Sequence, residues 1–278
     1  MKKVSIQGYE GSFHQEAARV FLGRDVEVVA CDTFRQVIKN ASDSNICDGA
    51  VMAIENSIAG SILPNYTLLQ NSDLTIIGEV YLQIRQQLMA NQGVTIEQVV
   101  EVHSHHMALL QCMDFLEKYP HIKLVESEDT ALSAKKISNN GSKRVAAIAS
   151  PIAAEIYGLD IIAPDIHTLK NNYTRFLVLQ PKDKAEPVAD ANKATIYFST
   201  QHKSGQLAKV LSAIAIQGIN LTKLQSMPIP GSNFKYQFNA DMIFRNREHL
   251  METLKDIEPY TEHIEILGIY KNGNLLEF

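Results

Sequence analysis

From Val4 to Leu179 short apolar runs alternate with stretches of helical period. Runs bounded by turn residues read as strands, and apolar positions recurring every third or fourth residue read as amphipathic helices. On that basis Val4–Gln7, Glu27–Ala30, Ala50–Ile54 and Leu74–Val80 predict strands, and Leu82–Ala90 is expected to continue extended. Val99–Val102, Lys123–Val125, Val145–Ile148, Ile161–Ala163 and Tyr173–Leu179 predict five more. Ser12 is placed to cap a helix running to about Phe21, whose Phe13, Ala17, Val20 and Phe21 share a stripe. Further helices are expected over Thr33–Asn40, from about His106 to Lys118, over Thr130–Ser138 and over Pro151–Tyr157. Asn139-Asn140-Gly141 stops the third of these, and proline opens the last. Ala50–Ile54 is almost purely apolar, as in a strand covered on both faces. Strands alternating with helices predict an open α/β architecture with crossover connections, and the length of the series predicts two lobes.

Pro181–Asn192 breaks the pattern with prolines and charges and no apolar period, so it reads as a linker. The rhythm after it is different. Lys193–Thr200 predicts a strand, Gln206–Gln217 a helix stopped by Gly218, and Asn220–Met227 a strand. A turn at Pro228–Asn233, a strand at Lys235–Phe244, a helix at Arg247–Ile257 and a strand at His263–Tyr270 follow. That order, β-α-β-β-α-β, is the ferredoxin-like pattern. The expected organisation is an α/β region at 1–180, a linker at 181–192 and an α+β unit at 193–278, with lobe one at about 1–78 and 172–180 and lobe two at about 79–171.

Composition narrows the function. The 278 residues carry 26 basic and 31 acidic side chains, net −5, with no run of like charge. Nucleic acid binding needs a concentrated basic footprint, so it is not expected. No apolar stretch reaches the length of a membrane-spanning helix, and the N-terminus reads as a strand rather than a signal peptide. Cys31, Cys47 and Cys112 form neither a disulfide framework nor a Cys-x-x-Cys knuckle, which fits reduced thiols in a cytoplasmic protein.

Ligands of open α/β sheets bind beyond the carboxyl ends of the strands, so polar clusters that follow apolar runs are the candidate chemistry. Four occur. Gly8-Tyr9-Glu10-Gly11-Ser12 offers glycines and a helix N-terminus to an anion, or is simply a tight turn with a capping serine. Glu55-Asn56-Ser57 either caps the next helix or presents a carboxylate and an amide to a cleft. Ser104 and Gln111, about two helical turns apart, line one stripe, or serve as an N-cap and a solvated amide. Asn171-Asn172-Tyr173-Thr174-Arg175-Phe176 places an arginine among amides, as a carboxylate fork or an ordinary strand opening. His103, His105 and His106 lack a carboxylate or thiolate to complete a metal set, so no metal is expected.

Taken in order, these clusters resemble the prephenate dehydratase family. The resemblance is carried by Gly8–Phe13 with Ala17-Ala18, Ile54-Glu55-Asn56-Ser57-Ile58-Ala59-Gly60-Ser61, and Gly78-Glu79-Val80. Val102-His103-Ser104-His105 with Ala108 through Cys112, Ala146 through Ser150, Tyr157-Gly158-Leu159 and Asn172 through Phe176 complete it. From Lys193 onward the chain resembles an ACT domain, through Gly205-Gln206-Leu207 and Gly218 through Lys223.

The resemblance implies two lobes like those of type II periplasmic binding proteins, an active site between them, and a ferredoxin-like ACT domain. It implies decarboxylative dehydration of prephenate to phenylpyruvate without a cofactor. Thr174, Glu55, Asn56, Ser104 and Gln111 become the expected catalytic set, with Thr174 relaying a proton from Ser104, Glu55 or water. Arg175, Ser12, Gly11, Ser57 and Phe176 become the expected substrate-binding residues. Phenylalanine is the implied effector, at Gly205, Leu207, Asn220, Leu221 and Ser226, in a homodimer or homotetramer assembled through the ACT domains. Arogenate dehydration and non-catalytic sensing of an aromatic metabolite are the alternatives. The chain departs from the family's usual pattern at Gln225 and Met227, where charged residues are common, and at Gln86, His106 and Tyr173.

Overall fold

The computed structural model describes residues 1–229, 231–232 and 235–273. Of the expected turn at Pro228–Asn233, Pro230 and Asn233 lie outside the described residues. In chain order the strands are β1 (Lys3–Gln7), β2 (Glu27–Cys31), β3 (Gly49–Asn56), β4 (Gly60–Ser61), β5 (Leu74–Gln83), β6 (Gln87–Ala90), β7 (Glu101–His105) and β8 (Lys123–Ser127). They continue with β9 (Val145–Ala149), β10 (Asp160–Ala163), β11 (Tyr173–Pro181), β12 (Lys193–Ser199), β13 (Asn220–Pro228), β14 (Tyr236–Ile243) and β15 (His263–Tyr270). The α-helices are α1 (Phe13–Leu22), α2 (Phe34–Ala41), α3 (Leu63–Gln70), α4 (His106–Gln111), α5 (Met113–Leu116), α6 (Thr130–Asn140), α7 (Pro151–Tyr157), α8 (Gln206–Ile216) and α9 (Arg247–Ile257).

Lobe one is built on the strand order β5-β11-β3-β1-β2, with β11 running antiparallel between β3 and β5. Lobe two is a separate sheet in the order β10-β6-β9-β7-β8. The last four strands follow the order β13-β14-β12-β15, with α8 and α9 packed against each other over a core that includes Ile196, Phe198, Val210, Ile214, Leu250 and Leu254. This is the ferredoxin-like arrangement. Gly268 of β15 pairs with Ile76 of β5, so this sheet continues directly into that of lobe one. Met227, Leu267 and Tyr270 accordingly share a core with Met52, Tyr66 and Leu69 of lobe one.

Two chain crossings join the lobes. Ile84–Gln86 interrupts the extended run expected at Leu82–Ala90, and Pro164–Asn172 brings the chain back into β11. The crossings are bonded to each other: Ile84 N donates to Asn172 O at 2.7 Å, and Ile166 N donates to Gln86 O at 2.9 Å. The helix expected over His106–Lys118 is two short helices broken at Cys112. There the Gln111 carbonyl accepts from Thr168 N of the returning crossing, at 2.8 Å, instead of continuing the helix. The pattern did not suggest α3, whose Pro64 sits in the first turn, where no N–H is needed. Cys31, Cys47 and Cys112 are free and buried. Among the described residues no helix is long and apolar enough to cross a membrane.

Candidate active site

A cavity of about 290 Å³ lies between the lobes. Asn56, Thr174 and Phe176 reach it from lobe one, and His105, Gln111 and Asp129 from lobe two. Its walls are largely apolar, with Phe13, Phe34, Ile62, Ile84 and Met107 beside the buried ring of His14. Phe176 meets His14 edge-on, with centroids 5.0 Å apart at 82°. His14 Nε2 accepts from Ala53 N at 3.3 Å, and full burial lowers the imidazole pKa to about 3, so the ring is neutral.

Thr174 and Asn56 are directly opposite in the β3–β11 pairing. The Asn56 amide Nδ2 donates to Thr174 Oγ1 at 3.0 Å and to Asn172 Oδ1 at 2.7 Å, while its Oδ1 accepts from Ile58 N and Ala59 N. These bonds, with Tyr173 O at 3.2 Å as a further acceptor for Nδ2, leave the amide one orientation. Because Thr174 Oγ1 receives a hydrogen bond from Asn56, its own O–H is left to point elsewhere, and the residue lines the cavity. Gln86 Nε2 approaches Gln111 Oε1 at 3.5 Å from the first crossing, at the outer limit of a hydrogen bond.

Several expected site residues lie elsewhere. Strand alternation sends Glu55 and Arg175, which are also paired, to the opposite face of the sheet from Asn56 and Thr174. Arg175 is 4% exposed and donates to Glu79 Oε2 at 2.7 Å, to Tyr270 Oη at 3.0 Å and to Asp241. Lys193 completes the cluster through Glu79 Oε1 at 2.8 Å. Two cations and two carboxylates thus neutralise each other out of water, as buried charges must. Burial opposes the charge of Arg175, but Tyr270, Asp241 and Glu79 outweigh it and hold the guanidinium protonated. Arg175 is therefore spent on the junction with the C-terminal unit and not on a ligand in the cleft. Glu55 is spent similarly, on Lys223 of β13 at 2.6 Å, and neither it nor Ser104 can relay a proton to Thr174. Ser104 is fully buried with its hydroxyl donating to Ile148 O at 2.6 Å.

The first loop is likewise a contact between lobes. Gly11 packs against Ala153 of α7 and its carbonyl accepts from Ser150 Oγ at 2.5 Å, while Glu10 O accepts from Tyr157 Oη at 2.6 Å. Ser12 caps α1. Ser57 accepts from Tyr173 N and donates to Asn171 O, tying its loop to the returning crossing. In the C-terminal unit Gly205 and Leu207 line a cavity of about 420 Å³ together with Tyr236 and Phe238; Asn220, Leu221 and Ser226 lie on the outer strand β13 and are not among its lining.

The pattern did not single out His14 or Asp129, and marked His105 and Gln86 only as a rejected metal ligand and a departure from the family pattern. Asp129 caps α6 through Leu132 N at 2.8 Å and extends across to Gly8 of lobe one. Burial raises its carboxyl pKa above the ordinary range, against the pull of the Leu132 and Ala131 amides and of His105. Among the described residues no group of three His, Cys, Asp or Glu side chains could hold a metal ion.

Residues 4–184 match the family model of prephenate dehydratase. The chain belongs to the prephenate dehydratase family. The enzyme named arogenate dehydratase/prephenate dehydratase 2 of Arabidopsis thaliana chloroplasts is 36% identical over 96% of this chain and 72% of its own. A solved structure described as a novel type of quorum-quenching acylase superposes with a TM-score of 0.88 at 28% identity, over 98% of both chains. Prephenate dehydratase from Arthrobacter aurescens in complex with L-Phe superposes with a TM-score of 0.84 at 24% identity, over 97% of this chain and 90% of its own, and so shares the fold.

Proposed function

We propose that this family member converts prephenate to phenylpyruvate. In the reaction the ring carboxylate leaves as CO2, its bonding electrons enter the ring, and the C4 hydroxyl departs. One proton is taken up, so that prephenate dianion and H⁺ yield phenylpyruvate anion, CO2 and water. Aromatisation drives the step, and the barrier lies in the hydroxide leaving group. The observation that carries this reading is the Asn56–Thr174 bond at 3.0 Å, which makes Thr174 an acceptor from Asn56 and a donor into the cavity. A hydroxyl so held protonates or hydrogen-bonds the departing oxygen as charge develops on it. Threonine is too weak an acid to act alone, and Asp129, on the opposite wall and held toward its protonated form, is the proton source that the lining supports. An apolar wall around the reacting ring offers the ring carboxylate no cation, which favours its loss.

The test is the appearance of phenylpyruvate from prephenate, wild type against Thr174→Ala. Product from the former and at least a hundredfold less kcat from the latter supports the reading; equal rates refute it. The name of the Arabidopsis relative keeps arogenate as a second substrate, and the ratio of kcat/KM on the two separates them. Amide hydrolysis, as in an acylase, asks for an activated nucleophile. The hydroxyls lining the cavity are Thr130 and Thr174, and among the described residues neither is bonded to a histidine.

The C-terminal unit is proposed to be an ACT domain that binds phenylalanine, as the Arthrobacter relative solved in complex with L-Phe suggests, and the cavity at Gly205 and Leu207 is the place proposed for it. Phenylalanine titrated against activity and against sedimentation tests the effector; no effect on either means that the unit only assembles subunits, and a monomer in sedimentation refutes the proposed dimer or tetramer.

A further inference from the structure

A second cavity, of about 310 Å³, adjoins the first and shares Met107 and Gln111 with it. Its rim is mainly apolar and drawn from three places, Ile58 of lobe one, Met107 and Leu110 of α4, and Leu169 of the returning crossing, with the exposed Asp114 and Thr168 as its polar members. The four apolar residues are 43 to 58% exposed. Isolated exposed apolar side chains mean little, but a contiguous set around a concavity marks a surface that something covers.

At its base the opposite holds. His167 and Asn172 line this cavity and are only 2% and 0% exposed. Yet among the described residues His167 Nε2 and Asn172 Nδ2 have no hydrogen-bond partner. Buried polar groups are nearly always paired, because an unpaired one forfeits the hydrogen bond it made to water. Two on one crossing, on residues that line one cavity, point to a ligand group that pairs them.

Both free atoms are donors. His167 Nδ1 accepts from Gln86 N at 3.4 Å, so the neutral ring carries its proton on Nε2. Burial, and then Lys170, lowers the imidazole pKa and keeps the ring neutral. Asn172 Oδ1 is taken by Asn56 Nδ2 at 2.7 Å, which turns its Nδ2 the other way. Lys170 pins the loop by donating to His167 O at 2.8 Å. Two N–H donors held by a rigid crossing under a mainly apolar mouth recognise an acceptor at the end of a short aliphatic arm.

We propose that the second cavity is a subsite for the carboxylate-bearing three-carbon arm of the substrate, with His167 Nε2–H and Asn172 Nδ2–H donating to it. This rests on the dehydratase reading of the neighbouring cavity. The arm and the leaving hydroxyl sit at opposite ends of the substrate ring, so they need separate subsites. Asn56 ties the two together, since its one amide nitrogen contacts both Asn172 and Thr174.

The experiment measures steady-state kinetics on prephenate and inhibition by phenylpyruvate, which keeps the arm but lacks the leaving group. His167→Leu removes the donor and is expected to raise KM and the phenylpyruvate inhibition constant about tenfold or more, with kcat within about threefold. His167→Gln restores an amide donor and is expected to recover most of that loss. Leu169→Asp, at an exposed position where folding is undisturbed, sets a second carboxylate at the rim beside Asp114 and raises both constants by added repulsion. Unchanged constants in His167→Leu and Leu169→Asp, with Thr174→Ala still inactive, overturn the subsite and leave the reaction standing. If wild type makes no phenylpyruvate, the reaction fails; direct binding of phenylpyruvate, weakened or not by His167→Leu, then decides the subsite alone.

Discussion

The side-chain amide of Asn56 donates to the hydroxyl of Thr174 across the β3–β11 pairing at 3.0 Å, and this bond sets the direction in which the threonine proton points. Thr174→Ala removes the donor and is expected to lower kcat by roughly 10²–10⁴ while Thr174→Ser retains most of it. Asn56→Asp tests the polarity of the bond. A carboxylate there accepts from Thr174 and draws its proton away from the cleft, so kcat should fall at least as far as in Asn56→Ala. An Asn56→Asp enzyme near wild-type kcat would remove the orienting role of the bond.

Asp241 and Arg175 make a second prediction, about stability. Asp241→Asn leaves Arg175 and Lys193 facing Glu79 alone, and an unbalanced buried cation costs about 3–5 kcal/mol. Burial works against the Asp241 carboxylate, but Arg175 and Lys193 overcome it and hold its pKa below the usual value. A depressed acidic group stabilises the fold above its unfolded pKa, and that contribution is lost as pH falls through the folded value. Urea unfolding at neutral pH should show the full deficit in Asp241→Asn. Below about pH 4 the gap to wild type should narrow; a constant gap down to the lowest accessible pH would contradict the assignment.

Arg175 also marks where sequence reasoning reached its limit. The apolar runs located most strands of both sheets, β4 and the separation of β6 from β5 excepted, because burial imposes the period directly. They also placed Thr174 and Asn56 in polar clusters at strand ends. Which of two adjacent residues faces the cleft depends on how β11 pairs with β3, a contact between segments more than a hundred residues apart. Strand period 2 then divides Thr174 from Arg175 and Asn56 from Glu55, and no local signal carries that division. The continuous sheet through Gly268 and Ile76 was equally hidden, since it depends on a long-range pairing. His14 lies within the first helix and Asp129 just before the helix that it caps, and nothing local marks either as a residue of the cleft.

His14 gives a pH dependence with a definite sign. Its pKa falls from 6.5 in the unfolded chain to about 3 on burial, so the folded state binds fewer protons between those values. Stability from this residue is complete above pH 6.5 and is lost, at up to ~1.4 kcal/mol per pH unit, as pH falls below it. Glu16, raised to about 6 by burial, has the opposite sign over part of this range, so wild type alone does not isolate His14. The difference between wild type and His14→Gln does. The variant should lose less stability between pH 7 and pH 5, and parallel curves would refute the shift.

The junction between the lobes can be tested at Gly8 and Gly11. Both have φ near +90°, at +89° and +87°, a conformation that favours glycine. Contact adds to the constraint. A Cβ on Gly8 would lie 2.7 Å from Asp129 Oδ2, and one on Gly11 would lie 3.0 Å from the Cα of Ala153. The two differ in what can yield. Asp129 is a side chain and can swing aside, whereas Ala153 presents backbone inside α7. Gly11→Ala should therefore cost stability, about 1–3 kcal/mol, by forcing the lobes apart. Gly8→Ala should cost less stability but displace the carboxyl proposed as proton source. Thermal unfolding and kcat/KM measured together separate the cases: Gly11→Ala is expected to lose more in Tm, and Gly8→Ala more in kcat than its stability explains. Equal losses in both quantities would mean that Asp129 only joins the lobes.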